Sequence, residues 1–294
     1  MGVLLGLVIT MAALSGGYIA AGGHLEVLWE PFEYVMIIGM ALGTFVIANP
    51  TKVLMDTGKG IVQALTNAVP KRKDYLALLG LLFALMRDLR TRPRNEVEAH
   101  IDDPENSELF KAHPGILKDK YLTQFVCDYV RLIIIGNARS HEVEALMDQE
   151  IATIKKSKVK PASAISSVAE ALPALGIVAA VLGIVKAMGA LNESPAVLGH
   201  LIGSALVGTF LGIFLSYAVL TPLASKIKST REKQMEPYVI VKQTLIAFMN
   251  GALPQIALEH GRKTIAGGDR PTIDEVEAEA VGNAPSASAL AQAA

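Results

Sequence analysis

The side chains that ligate metals, carry protons or attack carbonyls are sparse in this chain, and their spacing suits none of the common catalytic chemistries. His141 opens the run HEVEA, which begins like the zinc-protease motif whose two histidines, one helical turn apart, hold the metal. The position of the second histidine is Ala145. The other histidines, at 24, 100, 113, 200 and 260, share no metal-ligand spacing. Cys127 is the single cysteine and lies in the predicted helix KYLTQFVCDYVRLIII, so there is no disulfide framework and no thiolate metal site. It reads as a small buried apolar residue. With no phosphate-binding loop and no nucleophile elbow, the chain is expected not to be an enzyme and to use no cofactor and no metal.

The elements that must position the remaining polar groups are set by charge. Of the 27 basic residues, 18 fall between Lys52 and Lys160 and 8 from Lys226 onward, with Lys186 the exception. The turns Gly22 to Glu33 and Leu191 to Gly199 hold none. Positive residues stay on the cytoplasmic side, so both termini and the large loop are expected there. A crossing helix needs roughly 20 apolar residues for about 30 Å of hydrocarbon. Four segments qualify: Met1 to Ala21, Tyr34 to Ala48 extended back to Phe32, Ala171 to Leu191, and His200 to Ser225. The first lacks the basic flank of a cleaved signal peptide and runs within a dozen residues into another apolar segment.

Composition agrees with a chain that is part membrane and part soluble: 51% hydrophobic, 19% charged, mean hydropathy +0.40. The net charge of -1, with bases interleaved among acids, argues against nucleic acid as a partner. The fold class is therefore all-α, a polytopic membrane protein with four transmembrane helices and a helical cytoplasmic domain. The divisions are 1–49 for the first two spans, 50–168 for a cytoplasmic helical domain, 169–225 for the last two spans, 226–265 for C-terminal cytoplasmic helices and 266–294 for a disordered tail. About five helices are predicted between Thr51 and Lys160: Leu54 to Val69, Lys73 to Arg92, Glu96 to Ile101, Lys118 to Ile135 and His141 to Lys156. The apolar centre of the second, Leu76 to Met86, is too short to cross a bilayer.

Ions that cross a membrane usually meet an ionisable group inside it, and the spans read as nearly free of them. Glu170 stands at the inner boundary of the third span, and Lys186 near its outer end, where it can snorkel to the interface. An ion-conducting version of this chain would then take its titrating carboxylate from a partner. Thr209, about halfway along the fourth span, either bonds back to the Ala205 carbonyl or lines a pore. Gly39 with Gly43, Gly199 with Gly203 and Gly208 with Gly212 have the spacing of closely packed helices. Pro173 and Pro222 mark the cytoplasmic ends of the last two spans; each is either a helix-end device or half of a hinge.

The segments ALPALGIVAAVLGIV (171 to 185), ALVGTFLGIFLSYAVLTPLAS (205 to 225), DYVRLIIIGN (128 to 137), EALMDQEI (144 to 151), GGYIAAGG, ANP and NGALPQIALEHGRKTI (250 to 265) together resemble the flagellar motor stator A subunits, the MotA/PomA family. The resemblance covers nearly the whole chain except the tail. It implies a ring of five A subunits in the bilayer of the inner membrane, around MotB-type B subunits whose single span carries a proton-accepting aspartate and whose periplasmic domain grips peptidoglycan. It further implies that ion flow drives rotation of the rotor through the switch protein FliG. Pro173, Pro222 and Thr209 match the family's functional prolines and pore-facing threonine, and Arg90 and Glu98 match its two rotor-contacting charges. Pro93, with Arg92 and Arg94 beside it, departs from the family pattern and leaves open which base dominates. Sodium-driven relatives are similar but carry threonine where Ala180 stands, so the resemblance implies proton drive. Two other readings are an ion-driven energiser of outer-membrane import, which characteristically has three spans, and a non-conducting membrane scaffold.

Overall fold

The computed structural model describes residues 2–282, and their regular secondary structure is helical throughout. In chain order the elements are α1 (Gly2–Ala20), a 3-10 turn (Leu25–Leu28), α2 (Pro31–Ala48), α3 (Thr51–Thr66), α4 (Arg72–Thr91), α5 (Arg94–Asp102), α6 (Glu108–Lys111), α7 (Pro114–Lys118), α8 (Lys120–Ile135), α9 (Ser140–Gly189) and α10 (Pro195–Phe214). A π-helical segment (Leu215–Leu220) follows, then α11 (Thr221–Lys233), α12 (Glu236–Met249), α13 (Pro254–Lys263) and α14 (Ile273–Gly282). The chain divides into two compact units, one of Met1–Ala68 and Lys156–Glu232, the other of Val69–Lys155 and Lys233–Ala294.

The first unit holds the apolar helices. Four stretches are long and apolar enough to cross a membrane: Gly2–Ala20, Leu25–Ala48, Ser140–Gly189 and Pro195–Met249. Helix α2 starts earlier than the charge pattern predicted, because Pro31 sits at its first position, where a missing N–H costs nothing. Glu33 therefore belongs to the helix rather than to the turn. Helix α10 likewise opens on Pro195, and the Ser194 hydroxyl accepts from the Val197 N–H at 3.4 Å. The third span is not a separate helix, because α9 runs unbroken through both Pro161 and Pro173. Each proline removes one backbone donor, and the linking residues SKVKPASAISSVAE contain no glycine that would favour an ending. Alanines and aliphatic residues from three helices, Ala64, Ala162, Ile165, Ala224 and Ile227, close a small core between α3, α9 and α11. Arg231 of α11 pairs there with Asp56 of α3 at 2.9 Å.

The second unit has an ordinary globular core. Helix α4 lies at its centre, with Tyr75, Leu79, Leu81, Leu82, Leu85 and Met86 all fully buried. This accounts for an apolar helix that is not a span. Phe125 packs edge-on to Tyr238 at 5.1 Å, and Tyr129 lies 4.7 Å from the same ring. Helix α8 is capped by Asp119, which accepts from the Leu122 N–H at 3.2 Å, and ends at Gly136, whose φ of 76° an L side chain rarely adopts. Cys127 is buried, and burial pushes its thiol up to about 11. It is an inert core residue at neutral pH.

The tail expected to be disordered from residue 266 is in part a helix. Helix α14 packs on α4 through buried Val276, and Arg72 pairs with Glu275, holding that carboxyl down to about 2. Composition alone missed it because one buried valine and one ion pair do not show in an acidic, alanine-rich run. Residues 283–294 lie outside the described residues.

Candidate functional site

Helices α9 and α10 meet backbone to backbone. A methyl group at Gly176 would lie 2.9 Å from the Gly208 carbonyl oxygen, and one at Gly183 would lie 2.6 Å from the Ala205 side chain. A methyl at Gly212 would lie 2.6 Å from the Leu172 carbonyl oxygen. The spacing of Gly208 and Gly212 was legible in advance, but their partner Gly176, and the approach of Gly183 to Ala205, were not. In contrast, Gly39, Gly43, Gly199 and Gly203 have nothing within 4 Å among the described residues.

This seam places three sequence-predicted features side by side. Ala180 is buried, its backbone nitrogen 3.6 Å from where a methyl at Gly208 would stand, and Thr209 is the next residue along α10. Thr10, Thr44 and Thr57 each donate back to a carbonyl three or four residues earlier, at 2.7 to 2.9 Å. Thr209 makes no such bond among the described residues, so the expected link to Ala205 is absent. Its half-buried hydroxyl stays available to an outside group.

A fourth residue at this junction escaped the sequence reading. Glu33 is only 5% exposed, and its Oε2 has no hydrogen-bond partner among the described residues. A methyl at Gly208 would stand 2.8 Å from that oxygen. The spans do, then, contain a buried carboxylate, which the reading of the spans as nearly free of ionisable groups had passed over. The available signal was its spacing: Glu33, Ile37 and Ala41 recur every four residues and are the three buried residues of α2. An unpaired carboxylate oxygen can take up a proton. Glu170 and Lys186 are exposed, as boundary anchors should be. Around the N-terminal end of α2, the rings of Trp29 and Tyr34 lie 5.5 Å apart, tilted by 41°, and the Tyr34 hydroxyl donates to the Leu28 carbonyl at 3.2 Å. Such aromatic residues collect at membrane interfaces.

Pro173 lies half-buried within α9, and Pro222 is exposed at the second position of α11, directly after the π-helical segment. In the second unit, buried Asp88 holds Arg87 at 3.0 Å and Arg92 at 3.5 Å, and Arg92 reaches Glu96 at 3.6 Å. Arg90 on α4 and Glu98 on α5 are exposed and make no ion pair among the described residues. Of the neighbouring bases, Arg87 and Arg92 are held by Asp88, while Arg90 and Arg94 are exposed and make no ion pair among the described residues. No group of three or more metal-ligating side chains occurs among the described residues.

Comparison with known proteins is consistent along the chain. The Motility protein A N-terminal family matches residues 4–93, and the MotA/TolQ/ExbB proton channel family matches residues 117–239. Motility protein A of Salmonella typhimurium is 40% identical over 94% of this chain and 93% of its own length. Chemotaxis protein LafT of Vibrio parahaemolyticus is 35% identical over 93% of this chain and 96% of its own. Two solved structures share the fold: C. jejuni MotAB, with a TM-score of 0.73, 18% identity and coverage of 92% and 98%, and the flagellar MotAB stator complex from Bacillus subtilis, with 0.68, 21% and coverage of 91% and 96%.

Proposed function

The chain belongs to the motility protein A family of flagellar stator subunits, and from that premise we propose that it works as a ring of five copies around a MotB-type B subunit and turns the rotor through FliG. Residues 1–49 and 169–225 lie in the inner membrane, with both termini, residues 50–168 and the helices of 226–265 on the cytoplasmic side. The observation that carries the reading is the junction at Gly208. There, the buried Glu33 carboxylate stands against Gly208 at a close-packed helix seam, and the next residue along α10, Thr209, has an uncommitted hydroxyl; such a seam is a place where a partner's titrating carboxylate can exchange protons. Co-expression with a MotB-type chain in a stator-less strain tests it. Co-purification and restored swimming are expected; a stable complex that leaves cells non-motile and passes no proton current would instead mark a scaffold.

Proton drive is favoured over sodium drive because the third span offers Ala180 where a second hydroxyl would be needed. A metal cation must be given several oxygen ligands to replace its water, whereas a carboxylate binding a proton needs none. Swimming speed is expected to hold when external sodium is replaced by potassium at fixed pH, and to collapse when an uncoupler is added in sodium medium. Motility that follows sodium and survives the uncoupler would overturn this assignment.

Arg90 and Glu98 are the rotor-contacting pair. Reversing both charges leaves no buried group unpaired, because both side chains are exposed and outside the Asp88 network. The expected outcome is a strong loss of swimming with normal membrane levels and normal B-subunit binding. Normal swimming, or failure of the variant to accumulate, would remove the assignment.

A further inference from the structure

One hydrogen bond links the helix that carries Pro173 to the segment that precedes Pro222. Pro173 has no N–H to give the carbonyl four residues before it, which is that of Ala169. In an apolar surround a carbonyl without a donor is costly. The structure supplies the donor from the neighbouring helix: the Ser216 hydroxyl, 2% exposed, donates to the Ala169 oxygen at 2.6 Å. A serine within a helix commonly bonds back to its own preceding turn, here Gly212. Ser216 crosses between helices instead.

Its position in the fourth span adds a second link. Ser216 lies in the π-helical segment Leu215–Leu220, and its own carbonyl accepts from the Thr221 N–H, five residues on. Pro222 follows immediately. Segments of this kind shift the helical register by one residue and recur at functional sites. One serine thus fills with its side chain the break that Pro173 leaves in the hydrogen-bond ladder of the otherwise continuous α9, and closes the register shift before Pro222 with its backbone.

We propose that Ser216 is a positioning residue for coupling, a latch that makes the breaks at Pro173 and Pro222 move together so that ion uptake is converted into rotation. The proposal rests on the stator reading given above. Ser216→Ala removes the hydroxyl with almost no change in shape, and Ser216→Thr keeps a donor. In full complexes with the B subunit, Ser216→Ala is expected to lower the torque added by each incorporated stator, measured as speed steps of a bead on the flagellum, by at least about twofold. The number of steps and the proton flux per complex should stay unchanged, and Ser216→Thr should restore the torque. A serine that merely holds the fold would instead reduce steps, flux and torque together, and that result, or torque equal to the parent, overturns the latch. If the parent complex neither swims nor conducts, the stator reading itself has failed. A thermal-unfolding cycle still tests the bond: Ser216→Ala should lower the melting temperature of the complex in the parent but far less alongside Pro173→Ala, which gives Ala169 its own backbone donor. Equal losses in both backgrounds would refute the proposed bond.

Discussion

Valine at Gly212 is expected to abolish motility by preventing assembly. The atoms in its way are the Leu172 carbonyl oxygen, 2.6 Å from the new Cβ, and the Gly176 Cα at 3.0 Å. Both are backbone atoms of a continuous helix and cannot rotate aside as a side chain would. Overpacking a well-packed core costs about 1–3 kcal/mol even where side chains can adjust, and here α9 and α10 must separate. Close approach of small residues is what holds helices together in a lipid surround, where the hydrophobic effect gives no preference for helix over lipid. Membrane levels by immunoblot, co-purification of the B subunit and swimming in soft agar should all fall, with Gly212→Ala intermediate. A valine variant that assembles and swims at the parent's speed would show that the spans do not pack through this seam.

Leucine at Pro222 should have an equally large effect on swimming by a different route, leaving assembly intact. The proline ring is exposed and borders an apolar cavity of about 390 Å³ lined in part by Gly6, Thr10, Ile61, Ala218 and Leu223, so leucine has room. What changes is the backbone. Leucine brings an N–H able to donate to the Ala218 carbonyl, four residues earlier, and removes the ring that disfavours a regular helix at that point. The ordinary α register then competes with the π-helical segment Leu215–Leu220, and the irregularity on which the hinge depends is lost. Complex yield should match the parent while swimming is lost. Full motility would reduce Pro222 to a helix terminator, and loss of the complex would place its role in folding.

Transfer of apolar side chains into a bilayer is a property of each segment by itself, so the four candidate spans, the all-helical class and the exclusion of α4 from the spans were legible from composition and charge. Pro173, Thr209, Pro222, Arg90 and Glu98 were singled out by the family resemblance of the surrounding motifs, and their roles remain proposals. The outcome differed where two distant segments had to meet. Glu33 read as a turn residue because only α10 packed beside it, with Gly208 at closest approach, makes it buried. Gly176 and Gly183 are two glycines among many until α10 lies against them. Asp88 drew no attention in the sequence, and burial turned it into the clamp that occupies Arg87 and Arg92 and not Arg90. Ser216 carries no signal of its own, since its partner is a carbonyl 47 residues away that is orphaned by a proline between them. Local free energies choose the elements; which polar group is left unpaired, and which is rescued, is decided only when the helices pack.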